Sequence, residues 1–311
     1  MNQNPIPDLV YIGVDISASW LDIAGVKQNK RLANSAAGHD RFLKQLPPQA
    51  HVILEASGGY EKALWLALLR AGKRVSRISP GRARYFAKAT LKLAKTDAID
   101  AIILQEFGCK LQPPPDKLPT EAQLELSELV SRRQQLVEAR AIQEVQLQQQ
   151  SDPRLLGQGR ELLQIFGRQI KELEKLITRL LKTEGLEPKA KRLQELEGVG
   201  PVVSATLLAC LPELGQVSSA RLASLAGVAP HPDDSGPTIG YRRIQGGRHR
   251  VRRMLYMASL SCVQRNVRLK TFYLRLLKRG KPFKVAITAV MRKIVGLLNR
   301  LIADPNFSLA K

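Results

Sequence analysis

The chain has 311 residues, with 49 Lys and Arg against 27 Asp and Glu, which gives a net charge of +22. This length is enough for two domains with buried cores, and the basic excess excludes an acidic or mostly disordered protein. Clustered Lys and Arg release counterions when they contact phosphates, so the composition favours a polyanionic partner.

Cysteine usage and hydropathy narrow the class of protein further. Cys109, Cys210 and Cys262 are too few and too scattered for a disulfide framework or a zinc site. No apolar run reaches the about 18–20 residues that a membrane span needs, and residues 1–10 lack the features of a signal peptide. We therefore expect a reduced, cytoplasmic compartment and no membrane partner.

The first 110 residues predict an α/β domain. Short runs rich in Val and Ile predict strands over residues 9–15, 21–26 and 31–36, the order of an antiparallel meander. The predicted elements that follow are a helix over 40–46, a strand over 51–55, a helix over 61–70, a strand over 74–78 and a helix over 97–105. Three strands, a helix and then alternating strand and helix is the order of the ribonuclease H-like fold.

A linker and a long helical hairpin are predicted next. Residues 111–119 contain four prolines and predict a linker. Two helices, over about 120–150 and 161–182, predict an antiparallel coiled-coil hairpin with a turn that includes Gly157 and Gly159. The hairpin could pack on a second copy of itself or dock on its own chain, and both remain open. The predicted domains are thus 1–110, 111–187 and a mostly helical 188–311.

The basic charge is concentrated in the last third of the chain. The net charge is +7 over residues 1–110, −1 over 111–187 and +16 over 188–311, and no Asp or Glu occurs from 235 to 303. Six arginines lie at the start of that stretch: Arg242, Arg243, Arg248, Arg250, Arg252 and Arg253. A solvated helix face would explain a shorter run, but this length favours nucleic acid. A membrane surface is less favoured, because no Trp- and Phe-rich amphipathic face accompanies the charge.

Four carboxylates form a candidate metal site in the α/β domain. Asp15 and Glu55 end predicted apolar strands, while Asp97 and Asp100 begin a helix three residues apart, on one face. Charge at the edge of a core is costly unless it is compensated. Oxygen ligands of this kind suit hard divalent ions, and two such ions can drive phosphodiester chemistry.

Two loops in the basic region are candidates for contact with nucleic acid. The apolar–Gly–apolar–Gly pattern with Gly198 and Gly200 is similar to a helix-hairpin-helix turn, whose backbone N–H groups approach phosphate. A plain tight turn between packed helices fits the same residues. Residues 230–237 predict a loop that exposes Ser235 beside the arginines, although a serine nucleophile needs activation that the sequence does not identify.

Several of these segments together resemble one transposase family, the insertion-sequence family one hundred and ten. Residues 11–17, 54–60 and 95–101 are similar to its N-terminal domain with four catalytic acids, the DEDD domain. Residues 222–230, 234–236 and 246–258 resemble its C-terminal transposase domain. The likeness covers nearly the whole chain, in the family's order of RuvC-like domain, coiled coil and transposase domain.

The resemblance implies metal ligands, a nucleophile and nucleic-acid partners for this chain. Asp15, Glu55, Asp97 and Asp100 would bind Mg²⁺, and Ser235 would attack the DNA backbone and hold a covalent phosphoserine link. The partners would be double-stranded donor and target DNA, a structured guide (bridge) RNA, and further copies of the chain as a dimer or, in the synaptic complex, a tetramer. The site of action would be the bacterial nucleoid.

Two other functions remain open from the sequence. A RuvC-like nuclease would hydrolyse branched DNA through the four carboxylates, with Ser235 structural. A packaging protein for RNA or DNA would use only the basic region, and it would leave the placement of the carboxylates unexplained.

Overall fold

The structure is a computed structural model that describes residues 9–26, 30–56, 58–91, 97–231 and 242–309. The chain divides into two compact units, an N-terminal unit that ends at Pro119 and a C-terminal unit that begins at Thr120. The three-part division predicted from the sequence stays a prediction.

A mixed five-stranded sheet is the centre of the N-terminal unit. Its strands are β1 (Val10–Ile16), β2 (Trp20–Ala24), β3 (Lys30–Ala33), β4 (Ala50–Glu55) and β5 (Arg74–Ile78). They are ordered β3-β2-β1-β4-β5, with β1, β2 and β3 antiparallel and β1, β4 and β5 parallel. This topology confirms the predicted meander and is consistent with a ribonuclease H-like domain.

Four helices accompany the sheet. They are α1 (Ala36–Gln45), α2 (Lys62–Arg70), α3 (Pro80–Ala89) and α4 (Asp97–Leu111). The sequence did not predict α3, because Pro80-Gly81 resembles a strand-ending turn; here Pro80 instead occupies the first helical turn, where its missing N–H costs nothing. Helix α4 runs six residues further than predicted, so the linker begins after Leu111.

The proline-rich linker is fixed to the edge of the sheet. The hydroxyl of Ser76 in β5 donates to the carbonyl oxygen of Pro114 at 2.8 Å and lies 2.8 Å from His51 Nε2. The backbone N–H of Asp116 donates to the carbonyl of Val75 at 2.7 Å. The linker therefore occupies hydrogen-bonding groups of β5 that would otherwise form an open edge.

The C-terminal unit is mostly helical, as predicted. Its helices are α5 (Glu121–Leu147), α6 (Pro153–Thr183), α7 (Glu187–Gln194), α8 (Pro201–Cys210), α9 (Ser219–Leu225), α10 (His249–Arg265), α11 (Val267–Lys278) and α12 (Phe283–Ala303). Two short strands, β6 (Pro230–His231) and β7 (Arg243–Ile244), pair with each other. Helices α7 to α12 enclose one apolar core, with Val251, Leu255, Ile294 and Leu298 fully buried.

Helices α5 and α6 pack side by side in antiparallel directions. Arg133 of α5 pairs with Glu174 of α6 at 2.6 Å, and Leu126 and Val130 pack with Ile177 at the base of the hairpin. The same cluster includes residues of α7 and α8, so this end of the hairpin docks on its own chain. Packing on a second copy, and with it the coiled-coil description, stays a prediction.

The turn predicted at Ser151 and Asp152 does lie between the two helices, but its predicted extension over Gly157 and Gly159 is wrong, because both glycines lie inside α6. The helix begins at Pro153, where the side chain of Asp152 accepts the backbone N–H of Arg154. Gly159 is buried, and a Cβ there would lie 2.3 Å from the Leu147 side chain. This glycine serves close packing between the two helices rather than a turn.

Candidate active site

Asp15 lies near the end of β1, on the face of the sheet that α4 covers. Tyr11, Gly13 and Asp15 share this face, since side chains alternate along a strand. A Cβ on Gly13 would lie 2.1 Å from the carbonyl oxygen of Ala101 and 2.4 Å from the backbone nitrogen of Gln105, both in α4. The missing side chain therefore lets the backbone of α4 lie directly on β1.

The direction of α4 brings its first turn to Asp15. A Cβ on Gly108, near the far end of the helix, would lie 2.6 Å from the ring of Tyr11 near the start of β1, so the helix runs antiparallel to the strand. Asp97 and Asp100 occupy the first turn, as predicted. Helix N-termini also favour carboxylates, because their N–H groups lack partners within the helix.

Glu55 reaches the same place from the neighbouring parallel strand. Val14 in β1 lies opposite Leu54 in β4, so the next residues, Asp15 and Glu55, are level with each other. Level residues of parallel strands point to one face of a sheet. Both carboxylates are half-buried.

These carboxylates act on one another electrostatically. Burial, together with the negative charges of Asp100, Asp97 and Glu55, raises the pKa of Asp15 to about 6, against the lowering effect of a backbone hydrogen bond. The structure thus brings together the four acids that the sequence separates by up to 85 positions. Mutual repulsion makes this edge of the sheet a site for positive charge.

Two residues of the site were missed by the sequence analysis, Asp22 and Arg31. Asp22 in β2 lies directly opposite Asp15, and Arg31 in β3 lies opposite Asp22. The guanidinium of Arg31 donates to both oxygens of Asp22 at 2.9 Å and to Asp97 at 3.1 Å. Asp22 interrupts an apolar strand just as Asp15 does, and that interruption was the signal available.

The donor set fits a hard divalent cation. All four predicted ligands are carboxylates, which Mg²⁺ and related ions prefer. Within the described ranges, no three His, Cys, Asp or Glu side chains already converge closely enough to enclose an ion. The fit to a divalent ion therefore lies in the chemistry of the donors, and in this arrangement Arg31 supplies positive charge to Asp97.

Ser235 lies outside the described residues, within the stretch 232–241. The segments on either side of that stretch are held together by the pairing of β6 with β7, where His231 lies opposite Arg243. Close packing continues just beyond, since a Cβ on Gly247 would lie 2.2 Å from the backbone nitrogen of Gly227. The role of Ser235 stays a prediction.

The six arginines divide into two groups. Arg242 and Arg243 are exposed, and no ion pair of theirs is found among the described residues. The other four make contacts within the C-terminal unit: Arg248 with both oxygens of Glu213 at 2.5 and 2.6 Å, Arg250 with Ser131, Arg252 with the carbonyl of Gly246, and Arg253 with Glu138. Much of the predicted nucleic-acid surface is thus engaged in holding α10 in place.

The glycine turn between α7 and α8 also has a packing role. Gly198 has a φ of +96°, and a Cβ there would lie 2.6 Å from the backbone nitrogen of Cys262 in α10. Glycine is required here by conformation and by close approach. Gly200 caps α8 and has open space around it, so of the two it is the one accessible to a phosphate.

Comparison with known families matches both units. A family profile described as Transposase IS116/IS110/IS902 family matches residues 190–274. A second transposase profile, named for the DEDD motif of IS110, matches residues 12–152 and includes all four acids. The chain belongs to the IS110 family of transposases.

Individual relatives agree with this assignment. A protein named pilin gene-inverting protein from Moraxella lacunata is 27 % identical over 92 % of this chain and 93 % of its own length. The 43.6 kDa protein of insertion element IS110 from Streptomyces coelicolor is 30 % identical over 45 % of this chain and 34 % of its own length. The protein is therefore a DNA transposase or recombinase, an enzyme that acts on DNA.

The transposase assignment agrees with the proposed class of metal, and the helices were also compared with the requirements of a membrane span. DEDD transposases generally use divalent metal ions, in agreement with the donor set described above. None of the helices in the described parts of the chain is both long and apolar enough to cross a membrane.

Proposed function

We propose that this transposase excises and inserts a mobile element by a two-part chemistry, in which carboxylates hold Mg²⁺ and Ser235 is the nucleophile. The observation that carries the first part is the meeting of Asp15, Glu55, Asp97 and Asp100 at one edge of the sheet. These residues would hold the ion. When bound, it would polarise the scissile phosphate and neutralise charge that develops on it.

The serine step balances without a further reactant. The Oγ of Ser235 forms an ester bond to the scissile phosphorus, and the bond from that phosphorus to one bridging oxygen of the DNA breaks. The Oγ proton passes to solvent or a base, and the departing oxygen takes up a proton. Attack by the oxygen of an exchanged strand restores a phosphodiester and releases the serine, with no net hydrolysis.

The remaining parts of the proposal come from the family resemblance. A structured bridge RNA would pair with donor and target DNA, and copies of the chain would assemble so that acids and serine of one site come from different subunits. The proposed setting is the bacterial cytoplasm, at the nucleoid. The name of the Moraxella relative refers to inversion of a gene, and inversion is an outcome that the same strand exchange could produce.

A trapped protein–DNA adduct tests the serine step. A nicked suicide substrate should yield an adduct that survives denaturation, and Ser235→Ala should abolish it. An adduct that persists in Ser235→Ala would exclude this serine. Free DNA ends with no attached protein would instead support the alternative, a metal-dependent RuvC-like endonuclease.

Removal of the metal or of one ligand tests the carboxylate site. Chelation should abolish cleavage, and Asp97→Ala should lower its rate by about 100-fold or more while RNA binding is retained. The RNA that copurifies with the protein, identified by sequencing, tests the guide. Cleavage that continues in chelator would show that the metal assignment is wrong.

A further inference from the structure

Helix α6 carries a line of positive charge that the sequence analysis did not single out. Its members follow one another in steps of three or four residues, a spacing that places them on one helix face. They are Arg168, Lys171, Lys175, Arg179 and Lys182, and we call them the basic stripe. All five are exposed, whereas Ile170, Ile177 and Leu181, on the other side of the helix, are buried.

The stripe is not neutralised within the described part of the chain. No ion pair of any of its five members occurs there, although Glu174, which lies beside it, pairs with Arg133 of α5. A shallow groove follows the stripe and is lined by Lys171, Glu174, Lys175, Thr178, Arg179 and Lys182. Exposed Glu172 borders the stripe, and the net charge of residues 168–182 is nevertheless +3.

This arrangement differs from that of two arginines at the start of α10, Arg248 just before the helix and Arg253 within it. Arg248 and Arg253 have carboxylate partners within the C-terminal unit, so their charge is compensated. The cations of the stripe face solvent without such partners. A line of like charges held at fixed spacing on a helix is a site for a polyanion, because each phosphate contact releases counterions.

We propose that the basic stripe of α6 binds the phosphate backbone of double-stranded DNA. Between Arg168 and Lys182 the helix rises about 21 Å, and Arg160 continues the same line to about 33 Å, close to one turn of a DNA duplex.

The residues around the stripe also favour duplex DNA over other partners. Among residues 160–182 the sequence has one aromatic residue, Phe166, and helix periodicity places it on the face opposite the stripe. Recognition of single-stranded RNA relies on stacking of bases on aromatic rings. A membrane surface would need the apolar face of the helix, which at Ile170 and Ile177 is buried. The proposal is independent of the metal and of Ser235, and it uses only the DNA substrate that the family assignment provides.

Charge reversal in the full-length protein tests the proposal. Lys175→Glu with Arg179→Glu changes the net charge by four, and so does the control, Lys110→Glu with Lys117→Glu. Both control lysines are exposed and have no ion pair among the described residues. Fluorescence anisotropy with a 40-base-pair duplex in chelator should show at least a tenfold rise in Kd for the stripe variant and less than threefold for the control.

Two further variants separate charge from folding. Lys171→Gln, Lys175→Gln and Arg179→Gln together remove three cations, which should lower the dependence of log K on log salt by about 2 to 3. Glu172→Gln removes the bordering carboxylate and should tighten binding about twofold. Circular dichroism and thermal unfolding, measured on each variant, identify any that are misfolded.

Each result decides the matter. Equal Kd values for the stripe and control variants, or an unchanged salt slope in the folded glutamine variant, would overturn the proposal. So would a loss of affinity for an RNA hairpin with duplex binding intact. A change of oligomeric mass in sedimentation, with unchanged DNA affinity, would assign the stripe to a second copy of the chain instead.

Discussion

The two units differ in how their charged side chains are paired. At the edge of the N-terminal sheet, four carboxylates lie together, and Arg31 is bonded to one of them, Asp97. In the C-terminal unit, Arg248 at the start of α10 pairs with Glu213, and Arg253 within α10 pairs with Glu138. The comparison teaches that a basic run is not by itself a binding surface, because the partner of each side chain decides whether its charge is available.

The largest expected loss of stability and activity comes from substitution of Gly13, whose missing side chain allows α4 to pack directly on β1. In Gly13→Ala the new methyl group would overlap the backbone of α4, so the helix must move and carry Asp97 and Asp100 away from Asp15. We expect a loss of about 2 to 4 kcal/mol in the free energy of unfolding and a fall in cleavage of about 100-fold. Urea unfolding and a DNA cleavage assay measure these.

The matched control for this change is Gly81→Ala. Gly81 lies in α3 with no atom within 4 Å of the added Cβ, so the variant should be as stable as the wild type or more so. Normal cleavage in Gly13→Ala would mean that close contact between α4 and β1 is not needed to assemble the acids.

Removal of a repelled charge should stabilise the protein in the absence of metal. The folded pKa of Asp15, about 6, exceeds the unfolded value of about 3.9, so stability falls as the pH rises through this window and the full cost is present above it. After allowance for solvent screening, Asp15→Asn should gain about 1 to 2 kcal/mol at pH 7.5.

Measurements of thermal unfolding at several pH values test whether Asp15→Asn is stabilising, as predicted. The gain of Asp15→Asn should shrink as the pH falls below about 6 and disappear by about pH 3, where the wild-type carboxyl is protonated in both the folded and the unfolded state. Millimolar Mg²⁺ should raise the unfolding temperature of the wild type more than that of the variant. A variant that is less stable at pH 7.5 without metal would contradict the repulsion described for this site.

In the C-terminal unit, Arg248→Ala should lower the stability of the protein. Arg248 donates to both oxygens of the half-buried Glu213. Burial raises the pKa of this carboxyl, but the hydrogen bonds and charge of Arg248, with smaller contributions, lower it overall. Its loss leaves a partly buried charge unpaired, at a cost of about 1 to 2 kcal/mol. Adding Glu213→Gln should recover part of the loss, and a reduced DNA affinity with unchanged stability would instead return Arg248 to the binding surface.

The smallest effect is expected at Arg253. Its pair with Glu138 is exposed on both sides, at 42 % and 46 % of the side-chain surface, so solvent screens it. Arg253→Ala should cost less than about 1 kcal/mol, the usual range for such pairs, and should change DNA affinity less than threefold. A larger loss of affinity would show that the pair opens to bind DNA.

The sequence predicted the N-terminal fold well, because strands and helices there leave clear periodic patterns. Three strands of the meander and the two parallel strands appeared at or near their predicted positions. Helix α3 was missed because a proline at the start of a helix resembles one that ends a strand. Gly157 and Gly159 suggested a turn, whereas packing of α6 on α5 outweighs their low helix propensity.

The sequence by itself determined the net charge, and it predicted that the four acids belong to one site, since strand ends and an i, i+3 pair can be read from residue order. Only the tertiary structure decided which charges are compensated. Arg31 reaches Asp97 across 66 positions, and Arg253 reaches Glu138 across 115. Electrostatic energy depends on distance in space and on burial, and neither follows from the spacing of residues along the chain.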